Sequence, residues 1–187
     1  MPKTAFGEDI MEKKEIRRSI KSRTMALKPE QALRQSEAVV ERLLQIIALR
    51  KPQVVALFAP LKDEVRILDV AERLDCRVLL PRVAGEQMDF YDYDVEALSE
   101  GSYGIMEPQW GEAVEPQEID LMVVPGVAFT QSGVRLGRGK GYYDRYLSRA
   151  GFRAYCVGVC YAHQVVDSLP VEPHDRLVDE VVCGKEK

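Results

Sequence analysis

The chain has 187 residues, of which 46% are hydrophobic and 30% are charged, so it is long enough to fold around a single core. The formal net charge of -4 makes the average field unfavourable to nucleic acid, and the longest apolar stretch, residues 54–61, is too short to span a bilayer. The N-terminal residues carry no apolar signal-peptide core. We therefore expect residues 1–187 to form one domain of a cytoplasmic monomer, with no nucleic-acid or membrane partner and with reduced cysteines.

Two helices are predicted at the N-terminal end. Residues 11–27 are dense in charge and carry apolar residues near one helical face, which indicates a basic amphipathic helix. The second helix begins at Pro29, a favourable first-turn residue, and has apolar residues at the spacing of a buried stripe. It is expected to end near residues 49–51.

Short apolar runs follow, and they are typical of strands that are covered on both faces. These runs are residues 54–59, 78–83, 121–124 and 155–160. Because residues 65–74 have helical spacing, strands and helices alternate, and the pattern predicts a single α/β domain with a mostly parallel central sheet. Residues 88–93 alternate apolar and polar residues, which indicates a half-exposed strand, antiparallel at an edge of the sheet. Residues 99–116 are interpreted as a surface connection.

The strongest chemical signal begins where the buried run at residues 121–124 ends, the position at which open α/β sheets place ligands. Gly137, Gly139 and Gly141 occupy every second position, so backbone N–H groups can converge on phosphate oxygens without interference from side chains. Arg138 and Lys140 alternate with these glycines and supply positive charge. A helix that starts near Gly141 would add its N-terminal N–H groups to the same anion site.

Asp144 follows in the first turn of that helix, where it is best explained as a ligand for Mg²⁺ that bridges bound phosphates. The segment is not a Walker A loop, because Lys140 is followed by Gly141 instead of Ser or Thr. A flexible glycine-rich turn with solvated cations is the alternative. Two interleaved cations, a following carboxylate and a preceding buried strand favour the anion site.

Several segments resemble one known family. Residues 120–129 (DLMVVPGVAF) and 135–147 (RLGRGKGYYDRYL) closely resemble the signature of 5-formyltetrahydrofolate cyclo-ligases, also called methenyltetrahydrofolate synthetases. Residues 13–17, 60–65 and 174–182 also look like this family, in the family's order. The resemblance covers essentially the whole chain and implies a three-layer fold of the NagB/RpiA/CoA-transferase type, with helices covering the sheet.

The resemblance implies a ligase that uses ATP, with Mg²⁺ as its cofactor, to convert 5-formyltetrahydrofolate to 5,10-methenyltetrahydrofolate, ADP and phosphate. The formamide oxygen would attack the γ-phosphate and give a phosphorylated iminium. N10 of the folate would then attack the activated carbon before phosphate departs. Positioning and charge neutralisation would supply most of the catalysis.

The resemblance also implies the residues of the site. The ATP-binding residues would be Lys13, Lys14, Arg17, Arg135, Leu136, Gly137, Arg138, Gly139, Lys140, Gly141, Tyr142 and Tyr143. The folate would contact Ala59, Glu64, Arg138, Gly139, Lys140, Gly141 and Tyr142. Arg138, Lys140 and Tyr142 would be the catalytic residues, and Asp144 and Asp179 would be the metal ligands.

The residues taken alone leave alternatives open. A basic helix face is usually a solvated surface, Glu64 also suits the start of a helix, and Asp179 alone would be a loop acid. Two other functions fit the glycine-rich loop: a non-catalytic nucleotide or anion sensor, and an enzyme that transfers phosphoryl groups to another small acceptor.

Overall fold

A six-stranded sheet forms the centre of the computed structural model, which describes residues 12–185. In chain order the strands are β1 (Val54–Ala56), β2 (Arg77–Ala84), β3 (Gln87–Asp92), β4 (Leu98–Glu100), β5 (Met106–Pro108), β6 (Leu121–Pro125), β7 (Ala128–Phe129), β8 (Arg135–Leu136), β9 (Tyr155–Cys160) and β10 (Glu180–Cys183). The order across the central sheet is β10-β9-β6-β1-β2-β3, and only β3 runs antiparallel to its neighbour. The other strands form two short pairs, β4 with β5 and β7 with β8.

The chain changes its direction of travel across the sheet between β1 and β6. After β1 it proceeds through β2 and β3 on one side, whereas β6, β9 and β10 lie on the other. In open parallel sheets this arrangement leaves a crevice outside the carboxyl ends of the two central strands. The segments that follow β1 and β6 therefore flank the position where a ligand is expected.

Both faces of the sheet are covered, by residues that alternate along each strand with period two. The helices are α1 (Lys13–Met25), α2 (Pro29–Arg50) and α3 (Tyr142–Leu147). One face packs against α2, and the residues buried there include Val39, Leu43, Ile46, Val55, Leu57, Leu121 and Val123. The other face packs against α3 and the β7–β8 pair, and the residues buried there include Ala56, Met122, Val124, Phe129, Tyr146 and Leu147. The predicted α/β fold with a mostly parallel, doubly covered sheet is confirmed.

The two N-terminal helices lie where their patterns predict them. α2 begins at Pro29 and ends at Arg50, with Lys51 in the left-handed conformation (φ 52°) that closes the helix. α1 ends at Met25, two residues before the end of the predicted range. The α1 residues Ile16 and Ile20 pack against Ala128 and Leu136 of the β7–β8 pair, in a cluster that fixes the basic helix beside the glycine-rich loop.

Three expectations need correction. Residues 65–74 do not form an α-helix. The segment is a short irregular connection that contains a 3₁₀ helix at Leu68–Arg73, and this connection places its apolar residues in the core. β1 stops at Ala56 instead of residue 59. The surface connection at residues 99–116 contains β5 and most of β4, which pair with each other.

The prediction of an antiparallel edge strand near residues 88–93 is confirmed in position and direction. β3 pairs antiparallel with β2 at the end of the sheet. It is more buried than its pattern suggests, because Met88, Phe90 and Tyr91 are all covered. Within the described residues, no helix is long and apolar enough to cross a membrane.

Candidate active site

A cavity of about 400 Å³ opens at the carboxyl ends of β1 and β6, where the chain changes direction across the sheet. Phe58 and Ala59 after β1, and Pro125 and Gly126 at the end of β6, line its base. Its other walls come from the rest of the segment after β1, α1, the glycine-rich loop, the β2–β3 pair, the β4–β5 pair and the C-terminal segment. Residues from these walls include Lys13, Arg17, Leu61, Glu64, Pro81, Val83, Met88, Tyr103, Ile105, Glu107, Glu172, His174 and Asp175.

The glycine-rich loop, residues 137–141, connects β8 to α3 along one wall of this cavity. Gly139 (φ 102°) and Gly141 (φ 72°) have left-handed backbone conformations, which side-chain-bearing residues rarely adopt. Gly141 is also the N-cap of α3, so the loop turns directly into the helix. The predicted helix start near Gly141, and the position of Asp144 in the first turn, are confirmed.

α1 brings two cations to the cavity. The Arg17 guanidinium donates from Nε to the Gly137 carbonyl (2.8 Å), and this bond ties the helix to the loop. Lys13 Nζ lies 2.6 Å from Glu172 Oε2 and 2.7 Å from Asp175 Oδ2. Burial lowers the pKa of Lys13, but hydrogen bonds and charge attraction from the two carboxylates outweigh it, so the pKa is raised. Lys14 is exposed and is not among the residues that line the cavity.

A second charged group joins the loop to the segment after β1. Arg138 forms ion pairs with Asp63 (2.7 Å) and Glu64 (2.9 Å), and Glu64 Oε2 also accepts the Leu61 N–H (2.9 Å). The Glu64 side chain is only 10% exposed. Burial raises the pKa of Glu64, against the opposing effect of the Arg138 charge and of the hydrogen bonds.

The third charged group lies under the loop. Arg135 has a side chain that is 3% exposed, and its Nη2 lies 3.0 Å from Asp144 Oδ2. Its Nη1 donates to the Pro125 carbonyl (3.1 Å), whereas its Nε has no hydrogen-bond partner in the part of the chain that the structure describes. Asp144 Oδ1 accepts the Arg176 N–H (3.1 Å). Arg135 and Asp144 therefore connect the end of β6, β8, α3 and the C-terminal segment.

Asp179 is not brought to this cavity. It immediately precedes β10, and its Oδ2 accepts the N–H of Cys156 near the beginning of β9 (2.7 Å). The cavity lies beyond the opposite, carboxyl ends of the parallel strands. The two predicted metal ligands, Asp144 and Asp179, are thus not assembled into one site in this structure, and only Asp144 lines the cavity.

The two tyrosines of the loop have different surroundings. The Tyr142 hydroxyl donates to the Gly85 carbonyl (2.9 Å) and lies 3.3 Å from the Tyr103 hydroxyl, so it bridges the mouth of the cavity. Tyr143 faces inward, with its ring 5.6 Å from the Arg135 guanidinium carbon. Burial raises the pKa of Tyr143, which keeps the phenol neutral.

The sequence identifies the cationic part of this site and misses its other walls. Lys13, Arg17, Ala59, Glu64 and residues 135–144 all line the cavity. Glu172, His174 and Asp175 were not predicted as site residues, although acids opposite a basic helix were a possible signal. Nor did any local pattern indicate the apolar wall, which is formed by Pro81, Val83, Met88 and Ile105.

The fold and the cavity define an α/β protein with a ligand site at the point where its sheet changes direction. The model of the 5-formyltetrahydrofolate cyclo-ligase family matches residues 9–184. The chain belongs to this family, and it is therefore an enzyme, a ligase that uses ATP.

Relatives and solved structures agree with this assignment. The chain is 30% identical to the 5-formyltetrahydrofolate cyclo-ligase of Mus musculus, over 91% of this chain and 92% of the mouse protein. It resembles the structure of Aquifex aeolicus 5,10-methenyltetrahydrofolate synthetase, with a TM-score of 0.84 and 38% identity over 94% of this chain and 91% of that one. The Mycoplasma pneumoniae synthetase gives a TM-score of 0.75 and 26% identity, over 91% and 98% of the two chains.

Proposed function

We propose that this protein converts 5-formyltetrahydrofolate to 5,10-methenyltetrahydrofolate and couples the ring closure to cleavage of ATP into ADP and phosphate. The observation that carries the proposal is the composition of one cavity. A cationic glycine-rich loop lines one part, and an apolar wall with the buried Glu64 carboxylate lines another. A polyphosphate and a flat heterocycle with N–H donors need surfaces of these two kinds.

The nucleotide is proposed to lie against α1 and the glycine-rich loop. Arg17 lines the cavity beside Gly139, and the glycines allow phosphate oxygens to approach the backbone N–H groups. Lys13 also lines the cavity, but its ammonium is paired with Glu172 and Asp175, so a phosphate would have to displace these carboxylates to reach it. Lys140 is exposed on the cavity wall, where its ammonium can neutralise charge on the transferred phosphoryl group. Lys14 is exposed and does not line this cavity, so its proposed nucleotide contact requires a movement of α1 or of its side chain.

The folate is proposed to lie between Ala59, the β2–β3 wall and Tyr142. Pro81, Val83 and Met88 provide an apolar surface for the ring, and Glu64 provides the acceptor for its N–H groups. This arrangement would place the formyl group near Lys140 and Tyr142 of the loop. Ring and phosphate chain then approach each other across the same loop.

The proposed reaction begins with the formyl oxygen, because a formamide is a poor electrophile until that oxygen becomes a leaving group. The oxygen attacks the γ-phosphorus while the bond to the ADP oxygen breaks. N10 then attacks the activated carbon and loses its proton, and the carbon–oxygen bond breaks to release phosphate. The protein contributes orientation and charge neutralisation through the loop.

The family resemblance also implies Mg²⁺, and the residues present fit it in part. Mg²⁺ commonly binds one or two protein carboxylates together with substrate phosphates, and Asp144 offers such a carboxylate at the cavity. Both Asp144 oxygens already accept bonds from Arg135 and Arg176. Bound Mg²⁺ would neutralise phosphate charge, and of the two predicted ligands Asp144, which lines the cavity, would help to hold it, whereas Asp179 does not line the cavity.

The test is a turnover assay with purified protein, 5-formyltetrahydrofolate, ATP and MgCl₂. The methenyl product absorbs in the near ultraviolet, so its formation is followed directly. We expect absorbance to rise only when both substrates are present, with ADP formed in equal amount. Binding of ATP by a folded sample without any product would contradict the proposal and favour a nucleotide sensor. Phosphorylation of a different small acceptor in a substrate screen would favour a phosphoryl-transfer enzyme.

A further inference from the structure

The Arg138 side chain donates hydrogen bonds to two carboxylates. Its Nε and Nη2 both donate to Glu64 Oε1, at 3.1 and 2.9 Å. Its Nη1 and Nη2 also donate to the two oxygens of Asp63, at 3.2 and 2.7 Å. Since a guanidinium has five N–H donors, these four bonds use most of its capacity. A phosphate that bound two N–H groups of Arg138 would have to replace at least one of these bonds.

The balance of charge at this group also disfavours a phosphate. One guanidinium is shared by two carboxylates, so Asp63, Glu64 and Arg138 carry one excess negative charge when both acids are ionised. A phosphate brought to the same guanidinium would be repelled by both acids. Lys140, on the same loop, is not among the partners of Asp63 or Glu64 and is the better placed cation for phosphate.

Glu64 is the most enclosed member of this group, and it lines the cavity together with Arg138. The groups packed around it are Arg138 of the loop, Asp63 beside it, Tyr143 of α3, and Tyr161 after β9, whose hydroxyl donates to the Glu64 backbone carbonyl (3.0 Å). From α1, Arg17 and Lys21 share a small adjoining cavity with Asp63 and Arg138. Of these cations, Arg138 alone is an ion-pair partner of the Glu64 carboxylate among the described residues.

A buried carboxylate needs such a partner to stay ionised, because burial favours the neutral acid. In the ionised form its two oxygens offer about four acceptor sites, and Glu64 uses three of them, on the Leu61 N–H and on two N–H groups of Arg138. An ionised Glu64 can therefore still accept one N–H donor of a flat heterocycle, at Oε2. A protonated Glu64 would present a donor and lose that complementarity.

We propose that Arg138 is a positioning residue for the folate, which acts by holding Glu64 ionised and oriented toward the substrate ring instead of binding nucleotide phosphates. This inference rests on the proposed function, which supplies the ring that Glu64 recognises. It predicts that loss of the Arg138 charge impairs recognition of the folate at low pH and leaves nucleotide binding intact.

The first experiment measures Glu64 directly, in unliganded protein labelled with carbon-13 at glutamate carboxyl groups. Its resonance is assigned from the signal that is missing in Glu64→Gln. In Arg138→Gln we expect the pKa of Glu64 to rise by about 1 unit or more, the usual effect of an opposite charge at this range. Arg138→Lys should restore most of the shift, and the matched control Lys140→Gln should leave the pKa unchanged.

The second experiment measures the effect of the Arg138 substitution on each of the two substrates separately. For Arg138→Gln, the acidic limb of the pH profile of kcat/KM for 5-formyltetrahydrofolate should move upward by the same amount as the Glu64 pKa. The Kd of ATP should stay within about twofold, whereas loss of a direct charged phosphate contact costs about tenfold or more. The Glu64→Gln, Arg138→Gln double variant should lack that limb.

An unchanged Glu64 pKa in Arg138→Gln would overturn the inference. So would a tenfold weaker ATP affinity with an unshifted acidic limb, because that result identifies Arg138 as a phosphate ligand. Failure of the proposed function is distinguishable, since it appears as absence of turnover by the unmodified enzyme. The carbon-13 titration needs no substrate and still decides whether Arg138 controls the charge of Glu64.

Discussion

At the scale of single residues, the site depends on buried charges that are held by specific partners. Arg135 is 3% exposed and Asp144 is 16% exposed, so their ion pair lies in a largely water-excluded environment. Breaking such a pair by removing one partner costs about 3–5 kcal/mol, because the other charge is left uncompensated. Asp144 therefore has a structural role beside any contact with a metal.

Asp144 and Asp179 provide a matched pair for the metal prediction. Asp144→Asn should lower kcat by more than about tenfold and raise the Mg²⁺ concentration needed for half-maximal rate, because this carboxylate lines the cavity. Asp179→Asn should leave the Mg²⁺ dependence unchanged, since its side chain contacts the Cys156 amide outside the cavity. The measurement is the initial rate against free Mg²⁺. An equal change in both variants would show that Asp179 moves to the metal in the working enzyme.

Glu64 should make a pH-dependent contribution to stability. Because burial raises its pKa in the folded state, the folded protein holds this proton more tightly than the unfolded chain does. Its contribution is fully present below the ordinary carboxyl pKa and is lost as pH rises through the raised folded value. Glu64→Gln, which lacks this titration, should thus gain stability relative to the original protein as pH rises from about 4 to about 7.

The stability difference is measured by urea unfolding of the two unliganded proteins across this range. The acids other than Glu64 are common to both proteins, so subtraction isolates the single titration. A difference that stays constant, or that changes in the opposite direction, would show that burial does not raise the pKa of Glu64 in the folded protein.

At the scale of elements, contacts with α1 hold the glycine-rich loop in position. Ile16 and Ile20 of α1 belong to the same buried cluster as Leu136, and Arg17 binds the Gly137 carbonyl. The loop is thus held from outside while its left-handed glycines leave room for a ligand. Loop conformation and helix position should respond together to changes in either one.

Gly139 can be tested against a glycine of equal backbone strain. Gly139 (φ 102°) and Gly111 (φ 112°) would each meet a side-chain atom only at ordinary contact distance if a Cβ were added, 3.7 and 3.9 Å away. Gly139→Ala should weaken ATP binding by about tenfold or more, because the added carbon faces Arg17 in the nucleotide part of the cavity. Gly111→Ala should lose about as much thermal stability as Gly139→Ala but should retain the ATP affinity of the original protein.

Isothermal titration with ATP, and thermal unfolding of both variants, make this comparison. Equal ATP affinities in the two variants at comparable stability would remove the loop from the nucleotide site. A loss of affinity confined to Gly139→Ala would tie nucleotide binding to the loop backbone.

Helices and strands were predictable where the pattern of apolar residues or glycines along the sequence matches the structure of the same segment. α2, β9 and the start of α3 follow directly from apolar periodicity and from glycine placement. Residues 65–74 show where this fails, because Val65, Ile67 and Val70 are buried by a short connection and not by a helix face. Periodicity reports which residues are buried, and a tightly packed loop can reproduce the spacing of a helix.

At the scale of the whole molecule, the site could be predicted only in part because strand order is a long-range property. The basic loop is one continuous segment, so its sequence reveals it. Asp179 was grouped with Asp144, but it immediately precedes β10, at the end of the parallel strands opposite the cavity. Glu172 and Asp175 enter the site only because the C-terminal segment folds back onto α1.

We propose that one cavity brings the formyl oxygen of the folate to the γ-phosphate of ATP. The most direct measurement uses 5-formyltetrahydrofolate with oxygen-18 in the formyl group and analyses the released phosphate by mass spectrometry. We predict that each phosphate formed carries one oxygen-18 atom and that methenyl product, ADP and labelled phosphate appear in equal amounts. Unlabelled phosphate released together with the methenyl product would contradict the account, because the formyl oxygen would then have departed without being phosphorylated.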